Sequence, residues 1–280
     1  MSIVASTNPG PAVRLAAPVI VVATALFVAG CAAQPHLPIP SHAAPFGRKV
    51  TLIYVPGIGG YGHDDHAWIN GLKAGGYAGK TEVCNWTGNL RPISALWAHA
   101  RQRAAARRIA DRVRKLRADS PGEPVVLVGH SAGTGLVVMA LEDLPPDLQV
   151  DEVTLLAPAL SRNYDLTRAL RRVRGRADVF YSERDTLVLA VGTFLFGTVD
   201  GVHGEAAGHS GFVKPPGSSD RAYAKVSVHP YSNDRRLYGD DGGHKGILTP
   251  GVAAALVAPL LPGHELHRET VAQTDVHGLP

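Results

Sequence analysis

The sequence predicts a doubly wound α/β fold built on a mainly parallel sheet. Three observations carry that prediction. Apolar residues recur as short continuous blocks, such as residues 49–55 and 125–129, and strands of that kind are buried on both faces. Stretches with helical spacing lie between the blocks, so strand and helix alternate. The chain has 280 residues, 45% of them apolar and 19% charged, which suits one domain with a full core.

In chain order, K-V-T-L-I-Y-V at 49–55 reads as a buried strand. A glycine-rich loop follows, then a helix over 65–74 with Trp68 and Leu72 facing inward. Residues 81–86 form a second strand and 94–118 a long helix. In that helix Ala105, Ile109, Val113 and Leu116 make a buried stripe, and the arginines between them a solvated face. The formal charge is only +4. No aromatic interleaving accompanies the arginines, so no nucleic-acid partner is expected. Val125 to Gly129 is the third strand, and the helix after it closes at Pro145-Pro146. Strands at 152–156, 177–181 and 226–228, with helices at 166–173 and 250–261, complete the body. The segment 187–211 fits least well, being apolar to Phe196 and then rich in glycine and histidine. It is the one candidate lid, since long loops in compact domains tend to be functional or disordered.

The first thirty residues stand apart from the fold. Arg14 is their only charge, and 15–30 is an apolar run of secretory rather than membrane-spanning length. It ends in Val28-Ala29-Gly30-Cys31, which resembles the lipobox of bacterial lipoproteins. That resemblance implies a signal peptide over 1–30, lipidation of Cys31 and export to the cell envelope on a membrane anchor. Residues 31–46, rich in Pro, Ala and His, then form a tether, 47–265 the folded domain and 266–280 a loose tail. The sequence departs from the lipobox pattern in its long, nearly uncharged leader and in Pro18. A start codon set too far upstream would explain the first. An uncleaved anchor helix and an ordinary cleaved signal remain open. With Cys31 lipidated, Cys84 stands alone as a buried thiol in its strand.

Gly129-His130-Ser131-Ala132-Gly133 sits between the third strand and its helix. In this context G-x-S-x-G reads as a nucleophile elbow, a strained turn that lifts the Ser131 hydroxyl above the sheet edge. A serine hydroxyl is a poor nucleophile at neutral pH. It needs a histidine to take its proton and an acid to orient that histidine. In a doubly wound sheet such groups sit on loops at the carboxyl ends of strands. Asp185 follows the fifth strand, and His244 lies between the last strand and the final helix, in D-D-G-G-H-K-G. Asp165 and Asp200 are rival acids. His229, His203 and His209 are rival bases or pocket residues.

The order Ser131, Asp185, His244 and the turn Val55-Pro56-Gly57-Ile58-Gly59-Gly60 make residues 49–262 resemble a compact α/β-hydrolase. The resemblance implies a serine hydrolase without a large cap domain, cleaving carboxylic esters through an acyl-enzyme and using no cofactor. It implies backbone amides of Ile58 and Ala132 as an oxyanion hole. Pro56 stands where the family's turn carries histidine, which leaves amide donors unaffected. Gly59, His130 and Leu187 are the expected substrate contacts, with a small-molecule or lipid ester as partner. An amidase or peptidase with the same three residues, or a non-catalytic lipoprotein binding a ligand in the cleft, are the alternatives.

Two patterns point elsewhere. Gly57-Ile58-Gly59-Gly60-Tyr61-Gly62 satisfies a dinucleotide fingerprint with Glu82 as the ribose acid, yet Glu82 falls near the start of its strand rather than the end. His63-Asp64-Asp65-His66 looks like a metal cluster. The reading preferred is that Asp64 or Asp65 caps the helix carrying Trp68, and no metal is expected.

Overall fold

A computed structural model describes residues 49–87, 99–185, 199–202, 204–262 and 264. The expected signal peptide, Cys31, the tether, Leu187, His203, most of the candidate lid and the tail lie outside them. Among the described residues six parallel strands form one sheet: β1 (Thr51–Val55), β2 (Lys80–Val83), β3 (Val125–His130), β4 (Glu152–Leu156), β5 (Ala177–Tyr181) and β6 (Val226–Pro230). Their order is β2-β1-β3-β4-β5-β6. The winding direction reverses between β1 and β3, and ligands of doubly wound folds bind beyond the strand ends at that switch point. This is the α/β-hydrolase fold, and no large cap domain is inserted among the described residues.

The continuous apolar runs do what their pattern requires. Every residue of β1 and β3 is buried, and helices cover both faces. Helix α1 (His63–Ala74) turns Trp68 and Leu72 fully inward. Helix α2 (His99–Asp119) buries Ala105, Ile109 and Val113 and leaves Leu116 partly covered, while Arg101, Arg103, Arg107 and Arg108 face water and Arg117 is buried. Helix α3 (Ala132–Glu142) is nearly all apolar and almost wholly buried, a helix hydrophobic on every side because it lies between the sheet and α2.

Four expectations are revised. The helix at 166–173 is a single turn, Thr167–Leu170, because Val173 is drawn into a parallel bridge with Val150. Strand β6 runs on to Pro230 and so includes His229. The final helix changes pitch, passing from an α turn at Pro250–Val252 through a π turn at Ala253–Val257 to a 3-10 turn at Ala258–Leu260. Pro259 has no amide hydrogen to donate there. Cys84 lies just past β2 and is half-buried rather than buried. Burial still pushes its thiol up, so it stays protonated.

Candidate active site

Sheet register sets the site. Val55 pairs with Gly129, so the loop after β1 and the turn after β3 leave the sheet side by side. A Cβ on Gly57 would lie 3.1 Å from the Ser131 Cβ. Ser131 itself adopts φ 52° and ψ −125°, a conformation L-residues rarely occupy. The flanking glycines are demanded by close approach: a Cβ on Gly133 would fall 2.2 Å from the Val55 carbonyl oxygen, and one on Gly129 2.7 Å from Thr134 Cα.

Strain of this kind persists only where surroundings over-determine it. Here the Ser131 amide donates to the Leu156 carbonyl at 2.9 Å, and the Ser131 carbonyl accepts from the Thr134 amide and hydroxyl at 3.0 and 2.6 Å. Thr134 Oγ1 in turn accepts from the Ala159 amide. Thr134 is thus a clamp on the elbow, and nothing in G-x-S-x-G marks it.

The structure brings Ser131, His244 and Asp185 into one line. His244 Nε2 lies 2.9 Å from Ser131 Oγ, and His244 Nδ1 lies 2.6 Å from Asp185 Oδ2. Asp185 is 3% exposed and Ser131 6%, so the line is shielded along most of its length. The rival groups are engaged elsewhere. Asp165 accepts from the Thr167 amide and Asp200 from the Ser161 amide. His229 pairs with buried Asp178 at 2.7 Å and stacks on Phe180, and His209 faces Glu205.

Around this line the loop 56–62 is tied down from below. The buried Trp86 indole donates to the Pro56 carbonyl at 2.9 Å, a link no sequence pattern signals. Asp65 caps α1 by accepting the Gly62 amide at 2.8 Å and takes the Tyr54 hydroxyl at 2.5 Å. Burial, together with the charge of Asp65, holds the Tyr54 phenol well above its ordinary range, so it remains a donor. Tyr54 stacks on Trp68 at 5.3 Å, joining the loop to the core. Ile58 is half-buried, and Gly59 is exposed beside it. Ala132 is the first residue of α3, where amides have no acceptor within the helix. Lys245, next to His244, pairs with Asp64 at 2.8 Å and holds that carboxyl below its ordinary value.

His130 precedes the serine in the chain. Its ring is buried and packs on His244, with centroids 5.1 Å apart. Nε2 lies 3.4 Å from the His244 carbonyl oxygen, so the proton sits on Nε2. Burial, and then the neighbouring His244, push its pKa down to about 3. His130 thus packs as a neutral ring against His244.

Residues of the two competing patterns have partners within the fold. Glu82 receives a two-pronged bond from Arg112 at 2.6 and 2.7 Å, which pulls its carboxyl down to about 2. Asp65 is a cap, and no group of potential metal ligands forms among the described residues. Among the described residues no helix is long and apolar enough to cross a membrane.

Comparison with known proteins agrees with the fold. A family model described as alpha/beta hydrolase matches residues 65–180, the part from α1 through the elbow to β5. No curated protein sequence matches the chain. Among solved structures, Aspergillus fumigatus lipase B shares 16% identity over 77% of this chain and 54% of its own, with a TM-score of 0.47. The chain spans about half the length of that lipase. An acetylxylan esterase shares 16% identity over 77% of this chain and 98% of its own, with a TM-score of 0.42. A cutinase-like protein from Cryptococcus sp. shares 17% over 75% and 93%, with a TM-score of 0.39.

Proposed function

We propose that the protein is a serine hydrolase that cleaves carboxylic esters by acyl transfer. The observation that carries this reading is the unbroken line from Asp185 through His244 to Ser131, ending on a serine held at φ 52°. With Asp185 accepting the Nδ1 proton, His244 Nε2 is left as an acceptor for the Ser131 hydroxyl. Ser131 attacks the ester carbonyl as His244 takes its proton, and the amides of Ala132 and Ile58 hold the developing oxyanion. His244 then protonates the leaving alcohol. Water, activated by the same imidazole, releases the acid and restores the serine. The scheme uses no cofactor. Gly59, exposed on the loop beside Ile58, borders the acyl group.

On the Val28-Ala29-Gly30-Cys31 sequence alone, the protein is assigned to the bacterial cell envelope with Cys31 lipidated. That setting favours lipid or other acyl esters. Labelling of the full chain in detergent with a fluorophosphonate, comparing wild type with Ser131→Ala, tests the chemistry. Labelling lost in the mutant, followed by turnover of esters of rising chain length, is the expected result. A folded wild type that takes no label refutes an activated serine. Turnover of amides but not esters would reassign the substrate.

A further inference from the structure

The acid and the base of the site arrive on different loops, the first after β5 and the second before the final helix. Besides the contact between Asp185 and His244 themselves, a second tie joins these loops. The Ser182 hydroxyl donates to the Gly242 carbonyl at 2.6 Å. On the acid side, the Ser182 carbonyl accepts the Asp185 amide at 3.0 Å, and its Oγ accepts the Arg184 amide at 3.2 Å. On the base side, the Gly242 amide donates to Asp240 Oδ1 at 2.8 Å. Asp240 Oδ2 meets Arg235 Nη2 at 2.9 Å.

Behind this tie stands a buried anchor. Asp240 is 2% exposed and Arg235 7%. The guanidinium lies over Phe180 of β5 at 5.5 Å and over Tyr231, just past β6, at 5.8 Å. Its Nη1 also donates to the His229 carbonyl. Burying an ion pair is a poor route to stability, because desolvation offsets the attraction. It does fix geometry, and here it fixes the backbone two residues ahead of His244. The approach is also tight. Gly242 has φ +86°, and a Cβ there would come 2.8 Å from Arg184 Cδ and 3.2 Å from Ser182 Oγ.

We propose that Ser182, backed by the Asp240–Arg235 pair, is a positioning residue that sets the separation of Asp185 and His244. The hydroxyl joins one loop to the other, and the ion pair holds the second loop to the sheet. This rests on the hydrolase reading given above, in which that separation governs how well His244 receives the serine proton. Displacements of an ångström in such a constellation cost on the order of a hundredfold in rate.

The test compares Ser182→Ala with Ser182→Thr, which keeps the hydroxyl. One readout is fluorophosphonate inactivation, resolved into the binding constant and the maximal rate. The other is the downfield proton NMR signal of His244 Nδ1–H, assigned through His244→Gln. In Ser182→Ala the maximal rate should fall about tenfold or more with binding unchanged, and the downfield proton should be lost to exchange with water. Ser182→Thr should restore both. An alanine variant with wild-type rate and signal overturns the proposal. If the wild type takes no label, the hydrolase reading fails. The NMR arm then decides this inference alone: a signal retained in Ser182→Ala refutes it, and one lost supports it. Should Ser182→Ala not fold, Ser182→Cys, with a similar shape and a weaker donor, carries the same expectation.

Discussion

His130 should make the protein sensitive to mild acid, by an amount that can be worked out. In the folded chain its pKa is pushed from 6.5 down to about 3. Above pH 6.5 both states carry a neutral ring, and His130 adds no pH dependence. Below 6.5 the unfolded chain takes up a proton that the folded chain refuses. Stability then falls by about 1.4 kcal/mol per pH unit until the folded pKa is reached. From pH 6.5 to pH 5 that is about 2 kcal/mol. Glu152 acts in the opposite direction. Burial raises its carboxyl from 4.5 to about 7, so over that interval the folded chain holds the extra proton and stability rises as pH falls. Between 4.5 and 6.5 the two slopes oppose each other, and the wild-type profile alone would hide both. Urea unfolding of wild type and His130→Gln at pH 7, 6 and 5 isolates the histidine. The stability gap between them at pH 7 should shrink by about 2 kcal/mol at pH 5, with equal m-values. A gap independent of pH would mean that His130 charges as readily in the folded protein as in the unfolded one. The argument from burial would then be wrong.

Three further outcomes follow from the packing. Gly133→Ala places a methyl group 2.2 Å from the Val55 carbonyl oxygen and should give no soluble folded protein, whereas Gly122→Ala, with nothing within 4 Å, should melt like wild type. Trp86→Phe leaves the buried Pro56 carbonyl unpaired; it should lower stability by about 1–3 kcal/mol in urea titrations and slow fluorophosphonate labelling more than it weakens probe binding. Arg117 donates to the Gln149 and Glu123 carbonyls and to Asp151 from a buried position. Arg117→Met should therefore cost about 3–5 kcal/mol by the same titration, and a loss under 1 kcal/mol would show that water replaces those bonds.

Much of this arrangement was legible because it is local. β4 and β5 have the bounds expected of them, Glu152–Leu156 and Ala177–Tyr181, and the elbow announces itself through two glycines that a close backbone requires. Ser131, Asp185 and His244 could be nominated by a rule about strand ends, since the sheet delivers every such loop to one edge. What escaped is what depends on partners far along the chain. Trp86 reaches a carbonyl 30 residues away, and indole spacing encodes nothing about it. The turn at Thr167–Leu170 was read as a longer helix because the pull of Val150 on Val173 is tertiary. For His130, sequence gives the position beside Ser131 but not the packing of its ring on His244. Of the two caps the sequence offers, Asp64 and Asp65, the structure selects Asp65, an acid three residues after Gly62 as a capping pattern requires.

The hydrogen bond between His244 and Ser131 spans 113 positions in the chain. At ribosomal speeds of about 5–20 residues per second, the serine exists for roughly 6 to 23 s before its histidine has been made. On the mechanism proposed above, a nascent chain can finish β1 through β5 and still present only an ordinary alcohol. By that mechanism, activation of the serine is therefore withheld by the order of synthesis itself until His244 has been made and folded against the elbow.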